Sequence, residues 1–572
     1  MLTPDQLAHC ADDILKLYSR LEEEIVRDVA RRISKTGIIT ETGKLQLNAM
    51  QELGTLNSDI LKSLSKYTDK TEKQLQKLFE DAAVTATEYD NEIYRANGLN
   101  PKSIKVSATQ MQTLEAGYKK TSGNLSNLTR TTAVTSQTGF INACTLAEMK
   151  AESGAFSPQQ AIVDAIKQVA SEGAFVLYPS GHRDRLGHRD RLDVAVRRNV
   201  MTGIGQTTGE ICLANARELG CDLMEITAHA GARPSHASWQ GQIVSLSGRK
   251  GYLSLSDIGY GEGDGFKGWN CRHDWFPYFE GSTRMYSEKD LEELDAENIE
   301  FPDGSMHTLY EAEQYQRALE RKIRETKRIL AAQDEFFNNT SSESMKKAIK
   351  NNFDNFSIKL KRQEAQMNAF CEKTGLLVDN ARVQKYGFGR STAQKAVSSA
   401  NKHYKTWSSE HNINNIKTLA EYYKVKYNDS ERYALLQGYV KAVDKGDISP
   451  LIGFDLYESK AKEIKDELVG LKINNELNYE ITDFSTHFID RVLGQTSTSH
   501  EGMRLSTTIE QLRDSIANPL KTSEPFFVNT KKNGEEYLDE RINITGKSCS
   551  FVYSIKDKLL VQATSFGEDI IL

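Results

Sequence analysis

The 572-residue sequence contains no run approaching the roughly 18 consecutive apolar residues that a membrane-crossing helix requires. A helical membrane span is therefore excluded. Its opening, MLTPDQLAHCADD, lacks the basic and apolar regions of a secretory leader, so the expectation is a chain made and kept in cytoplasm. The seven cysteines are odd in number and scattered, at Cys10, Cys144, Cys212, Cys221, Cys271, Cys371 and Cys549. They do not make a disulfide framework, and most read as small buried hydrophobes. Neither charge is in large excess: a net charge of −6 and a pI near 6.1 carry no whole-chain signature of nucleic-acid binding, so any such contact must be local.

What is present fits a soluble protein with a strongly charged surface, at 38% apolar and 27% charged residues, and with room for two to four domains. Thr3-Pro4-Asp5-Gln6 supplies an N-cap, a proline at the first helical position and a capping-box glutamine. The stripe Leu7, Ile14, Leu15, Tyr18, Leu21, Ile25, Val29, Ile33 then predicts one helix, ended by Gly37. Helical patterns follow over 43–66 and 69–97, whereas 107–150 is rich in Thr, Ser and Asn and less periodic. Ser157-Pro158-Gln159-Gln160 starts a helix to Gly173, and another leads through Val200 and Ile211 to Gly220.

Between these two helices, HRDRLG (182–187) is followed at once by HRDRLD (188–193), a near-perfect tandem repeat. Its arginines suggest a phosphate patch, but three Asp over the two copies favour a solvated loop, where an insertion is tolerated. Residues 307–335 and 342–374 are two charged helical patterns that predict an antiparallel hairpin. Charges such as Glu320 and Lys327 read there as a solvated face. The predicted organisation is 1–220 helical, 221–285 an irregular β-containing knot, 300–400 the hairpin, 400–471 a helical linker region and 472–572 an α+β domain.

The knot concentrates unusual residues. Three of the four tryptophans lie in 222–281, which reads His229-Ala-Gly-Ala-Arg233-Pro-Ser-His236-Ala-Ser-Trp239-Gln-Gly241 and returns as Gly268-Trp269-Asn270-Cys271-Arg272-His273. Glycine at this density predicts turns and short strands. His229, His236, Cys271 and His273 are zinc-ligand types whose spacing is compatible with a tetrahedral site. The other reading is a Trp-rich minicore in which the imidazoles and Arg233 donate hydrogen bonds to loop carbonyls. A hydrolase site is disfavoured because no paired base or oxyanion donors are identifiable. DNA contact by Arg233, Arg249, Lys250 and Arg272, with Trp239 or Trp269 as stacking surfaces, is a further alternative.

The run HxGARPSHxxWQG followed by GWNCRH resembles the signature of the phage minor capsid protein 2 family, related to the Mu gpF-like head proteins. The resemblance implies a virion component of the phage head that accompanies the portal, made in a bacterial host. Its implied partners are portal and capsid proteins and packaged DNA. In the relatives a Cys pair and a later HxxCxC stand in the comparable places, so the resemblance implies a structural zinc at His236, Cys271 and His273. No other cofactor is expected, and the family's single copy of the 182–187 segment implies that the second is a recent slip.

In the last hundred residues, Phe484–Leu493 predicts a short helix, and Thr507 with Glu510 predicts the capping box of a second. Phe526–Thr530, Tyr537–Ile544, Cys549–Ile555 and Leu559–Thr564 predict an antiparallel meander. Two helices followed by a sheet, with His487 and Arg491 one turn apart, resemble small ribonucleases of the barnase/EndoU/colicin E5–D/RelE group. That likeness implies a metal-independent RNase acting as toxin or effector on RNA. His487 would be the base, Arg491 and Arg504 the cations at the phosphate, and Thr564 or Ser565 would orient it. Without catalysis the same segment is an interaction module.

Overall fold

The computed structural model describes residues 1–35, 42–178, 188–449, 451–474, 476, 478–494, 505–532 and 535–566. The first copy of the repeat, Gly37 and Arg504 lie outside the described residues. The chain divides into two compact units, Met1–Val397 and Ser398–Leu572. The class is mainly α, with an α+β C-terminal region.

The first unit is built from long helices: α1 (Asp12–Lys35), α2 (Thr42–Ala96), α3 (Ala108–Glu152), α4 (Pro158–Glu172), α5 (Leu192–Leu219), α6 (Leu309–Asn339) and α7 (Glu343–Thr374). The opening turn Pro4–His9 has the capping box of Thr3 and Gln6 but is a separate helix from α1. The Arg197 guanidinium donates to the Ala8 carbonyl, occupying an acceptor that a continuous helix would use four residues on, and the chain turns at Cys10–Ala11. The two patterns over 43–97 are one helix, α2. The hairpin α6–α7 buries Met345, Ile349, Phe356, Leu360, Met367 and Phe370 from α7 against Leu319, Ile323 and Leu330 of α6, at steps of three, four and seven residues that keep them on one helix face. Glu320 and Lys327 are not on a solvated face. Glu320 is buried, and Lys327 donates to the Val383 carbonyl at 3.2 Å and pairs with Glu364 at 3.5 Å. The second copy of the repeat forms the strand His188–Arg191, antiparallel to Phe175–Tyr178, so it is an ordered edge that enters α5.

The knot is a small sheet of β1 (Leu223–Ile226), β2 (Ile243–Ser245), β3 (Leu253–Ser254) and β4 (Trp275–Tyr278) in the order β3-β2-β1-β4. β1 is antiparallel to β2 and β4, with Ile226 opposite Trp275, and β2 is parallel to β3. Long Gly-rich loops between these strands carry the signature residues. Gly268 fixes their path: a β-carbon there would lie 2.2 Å from the Glu262 carbonyl oxygen and 2.6 Å from that of Gly263.

The second unit begins within the helix Arg390–Glu410 and continues through α8 (Leu419–Asn428), α9 (Ser430–Lys445) and α10 (Phe454–Leu468) to a six-stranded sheet. Its strands are β5 (Asp483–Phe484), β6 (Lys521–Thr522), β7 (Phe526–Lys532), β8 (Glu535–Thr545), β9 (Cys549–Ser554) and β10 (Leu559–Ser565). The four predicted strands are the antiparallel meander β7–β10, extended by β6 beside β8 and by β5 parallel to β10. The two helices are α11 (Thr486–Leu493) and α12 (Ile509–Ala517), and the second capping box is Thr508 with Gln511, one residue later than predicted.

Candidate functional site

Pro234 opens a single helical turn, Pro234–Ala237, which projects His236 inward; the Gly-rich loop returns Cys271 and His273 just before β4. One ligand atom from each of His236, Cys271 and His273 lies within 4.8 Å of the others, and all three side chains are buried. His236 Nδ1 stands 3.3 Å from His273 Nδ1, and Cys271 Sγ stands 3.6 Å from the same His273 nitrogen. A tetrahedral zinc with bonds of about 2.0 Å to nitrogen and about 2.3 Å to sulfur separates its ligand atoms by about 3.3 and about 3.6 Å. The two separations from His273 match that ion, and His236 and Cys271 lie within 4.8 Å of each other.

The outer ring nitrogens determine which atoms face inward. His236 Nε2 lies 2.9 Å from the Asp264 carbonyl oxygen, which only accepts, so Nε2 carries the proton. Gln240 Nε2 donates to the Asp295 carboxylate at 3.2 Å while its Oε1 accepts from the His229 amide at 3.2 Å. The amide orientation is thus fixed, and His273 Nε2 must donate to Oε1 at 3.3 Å. Burial pushes the His236 pKa down to about 4 and that of His273 well below its usual value, so both rings are neutral. Two bare Nδ1 lone pairs therefore face each other, with a thiol beside them. One thiol proton satisfies only one of them; a cation satisfies both.

His229, the fourth predicted ligand, does not join this group. Its ring stacks on His273 with centroids 4.6 Å apart, and its Nδ1 lies 2.8 Å from the Ala230 carbonyl. Among the described residues no fourth side-chain donor completes the set. The minicore is present as well: Trp239 packs on His236 and His273 at 4.3 and 4.9 Å, Phe266 lies 5.0 Å from Trp275, and Arg233 donates to the Trp269 carbonyl. Trp239 is buried and offers no stacking face, whereas Trp269 is 57% exposed.

Below the cluster, Lys267 Nζ pairs with Asp274 Oδ1 at 2.5 Å in full burial. Asp274 also accepts the Trp275 and Leu2 amides, tying the start of the chain to the knot. Sequence reasoning missed Gln240, Asp264, Lys267 and Asp274. Gln240 stands within the run ending WQG and Lys267 immediately precedes GWNCRH, but their roles exist only once the loops close.

In the second unit, Arg491 Nε donates to His487 Nε2 at 3.2 Å across one turn of α11, and His487 Nδ1 is 3.8 Å from Asp490. Asp490 is buried and accepts from Tyr457 at 2.9 Å. α11 lies against β10, held by Ser485 donating to the Val561 carbonyl at 2.9 Å. Thr564 is exposed near the end of β10, opposite Ser550, and Ser565 lies opposite Cys549. The pairing of His487 with Arg491 is present in this geometry; Arg504 is outside the described residues.

The family described as phage minor capsid protein 2 matches residues 2–372, a span that contains the knot and all but the end of the α6–α7 hairpin. A protein described as "Structural protein" of Lactococcus phage LL-H is 24% identical over 299 residues, covering 49% of this chain and 75% of that protein. No solved structure matches the chain. The signature runs, the folded knot that carries them and the matched span agree, and the chain belongs to the phage minor capsid protein 2 family.

Proposed function

We propose that this phage structural protein acts in the virion at the portal vertex of the head, with portal and capsid proteins as partners. The observation that carries the reading is that the matched span, 2–372, lies within the first unit and includes the signature-bearing knot. The test is to purify proheads and mature virions of a phage encoding the chain and to co-express the full chain with its portal protein. The chain is expected in both particles and in a stable complex with the portal; its absence from particles contradicts the proposal.

A zinc ion held by His236, Cys271 and His273 is part of the same reading. Two bare Nδ1 atoms at tetrahedral spacing support it. The bound ion would supply a crosslink between two loops that otherwise share only hydrogen bonds and ring contacts. Full burial of the ligands leaves no route for substrate, so the role is structural. Gln240 and Asp264 orient the rings, and Trp239 excludes water.

The second unit supports a second reading, an RNase directed at RNA, on the contact between His487 and Arg491 in a helix that packs on β10, the strand that carries the exposed Thr564. His487 Nε2 would have to exchange the Arg491 donor for the ribose hydroxyl before it could act as base. Full-length protein is expected to cleave single-stranded RNA without added metal and to lose that activity as His487→Ala. Equal RNA stability with both proteins removes the reading. The unit is then an interaction module, for which Phe527 and Leu538, exposed on adjacent strands β7 and β8, are the docking residues.

A further inference from the structure

One lysine of the knot is buried with its ammonium against a single carboxylate. Lys267 leaves the Gly-rich loop beside Phe266, and its stem lies on α5 at Gly209, where a β-carbon would stand 3.2 Å from Lys267 Cε and 3.4 Å from Cγ. Nζ reaches Asp274 Oδ1 at 2.5 Å, with 1% of the lysine side chain and none of the aspartate side chain exposed. Among the described residues, Asp274 is the one hydrogen-bond acceptor of Nζ. The carboxylate is held in place from both oxygens: the Leu2 amide donates to Oδ2 at 2.6 Å and the Trp275 amide to Oδ1 at 2.9 Å. The Asp274 amide in turn donates to Thr227 Oγ1 at 2.8 Å, so the backbone beneath the carboxylate is fixed as well.

Two charges taken out of water recover their desolvation cost only in part through mutual attraction, and a neutral group of similar shape avoids that cost. An amide made from the two side chains is such a group. With Nζ 2.5 Å from Oδ1 at the lone-pair angle of a carboxylate, the nitrogen stands about 3.3 Å from Cγ, within the range from which reacting atoms attack. Condensation forms the Nζ–Cγ bond and breaks Cγ–Oδ1. Two of the three ammonium protons pass to Oδ1, which leaves as water, and Oδ2 remains as the amide oxygen. The Leu2 N–H already points at Oδ2, where negative charge grows as Cγ becomes tetrahedral. The ammonium and the carboxylate supply every atom and proton of the step, and a site closed to solvent opposes the reverse hydrolysis. Lys385 and Glu22 are as close and as deeply buried, but Glu22 is shared with Arg328 at 3.6 Å and is therefore paired twice as an anion.

We propose that Lys267 and Asp274 condense to an isopeptide bond, a self-modification that closes a covalent ring around Gly268–His273. The ring fixes the return loop that carries Cys271 and His273, and it depends neither on the zinc nor on the portal reading. The test is the intact mass of the purified full-length chain in denaturant, followed by tryptic mapping. The wild-type chain is expected to be lighter than its sequence by one water, about 18 Da. Peptide 251–272, uncut at Lys267, should be joined to peptide 273–284. Lys267→Arg keeps a cation opposite Asp274 but removes the primary amine, and this variant should have the full mass of its own sequence. Wild-type protein at full sequence mass overturns the proposal. So does a water deficit that Lys267→Arg retains, or one with the two peptides unlinked, because either places the loss elsewhere in the chain.

Discussion

Glu23 enters the core of the first unit from α1, and among the described residues neither of its carboxylate oxygens has a hydrogen-bond partner. Its neighbour Glu22 takes the available cations, pairing with Lys385 at 2.5 Å and lying 3.6 Å from Arg328. Burial raises the Glu23 pKa to about 7, Glu22 adds to that rise, and Lys385, Arg328 and Arg27 oppose it. The folded state therefore holds this proton to higher pH than the unfolded chain does. Below the ordinary carboxylate range the group is neutral in both states and costs nothing. As pH rises toward 7 only the unfolded chain ionises, stability falls, and above that the loss levels off at about 3 kcal/mol. Glu23→Gln should thus gain stability over wild type progressively from about pH 5 to about pH 8, measured by denaturant unfolding at each pH; a pH-independent difference contradicts this. No periodicity argument marks such a residue, because Glu22 and Glu23 read as surface charge until Lys385 and Gly387 are folded over them.

At the scale of elements, α3 shows where the hydrophobic pattern falls short as a guide. Its Thr, Ser and Gly content blurs the periodicity, yet it runs unbroken for 45 residues. Thr129, Thr132, Ser136 and Thr138 each turn the hydroxyl back to a carbonyl four residues earlier, so the polar groups are satisfied inside the helix. The small residues also let α3 and α5 approach closely. A β-carbon on Gly117 would lie 2.0 Å from Thr207, and one on Gly203 would lie 2.2 Å from Thr121, a reciprocal pair of glycine–threonine contacts. Gly117→Val should force the helices apart and destabilise the unit by about 2 kcal/mol or more in chemical denaturation; an unchanged midpoint would show that the helices do not cross there. The capping residues Thr3 and Ser157 and the meander were legible because their signals are local. The place of His229 was not, since sequence spacing cannot distinguish a ring stacked on the His236, Cys271 and His273 cluster from a member of it.

Across the whole molecule, the family match ends within the first unit, while the paired His487 and Arg491 belong to the second. Incorporation into particles should therefore respond to the knot and not to the C-terminal pair. Virions carrying His487→Ala are expected to contain the chain at wild-type abundance by quantitative mass spectrometry, and those carrying Cys271→Ser to contain much less; the reverse pattern would place the assembly determinant in the second unit. Fold class could be read from the sequence because long helices dominate the chain, and the family because its signature runs are contiguous. The cluster's second layer, Gln240 to Asp295 and His236 to Asp264, joins residues 55 and 28 positions apart and appears only in three dimensions.

The most direct test of the proposal that a zinc ion clasps the knot is zinc-edge X-ray absorption on the purified protein. About one zinc per chain is predicted, with a first shell of two nitrogens at about 2.0 Å, one sulfur at about 2.3 Å and one further light atom. The sulfur should be lost in Cys271→Ser. Protein that folds with no bound metal, or a metal shell without sulfur, contradicts the account.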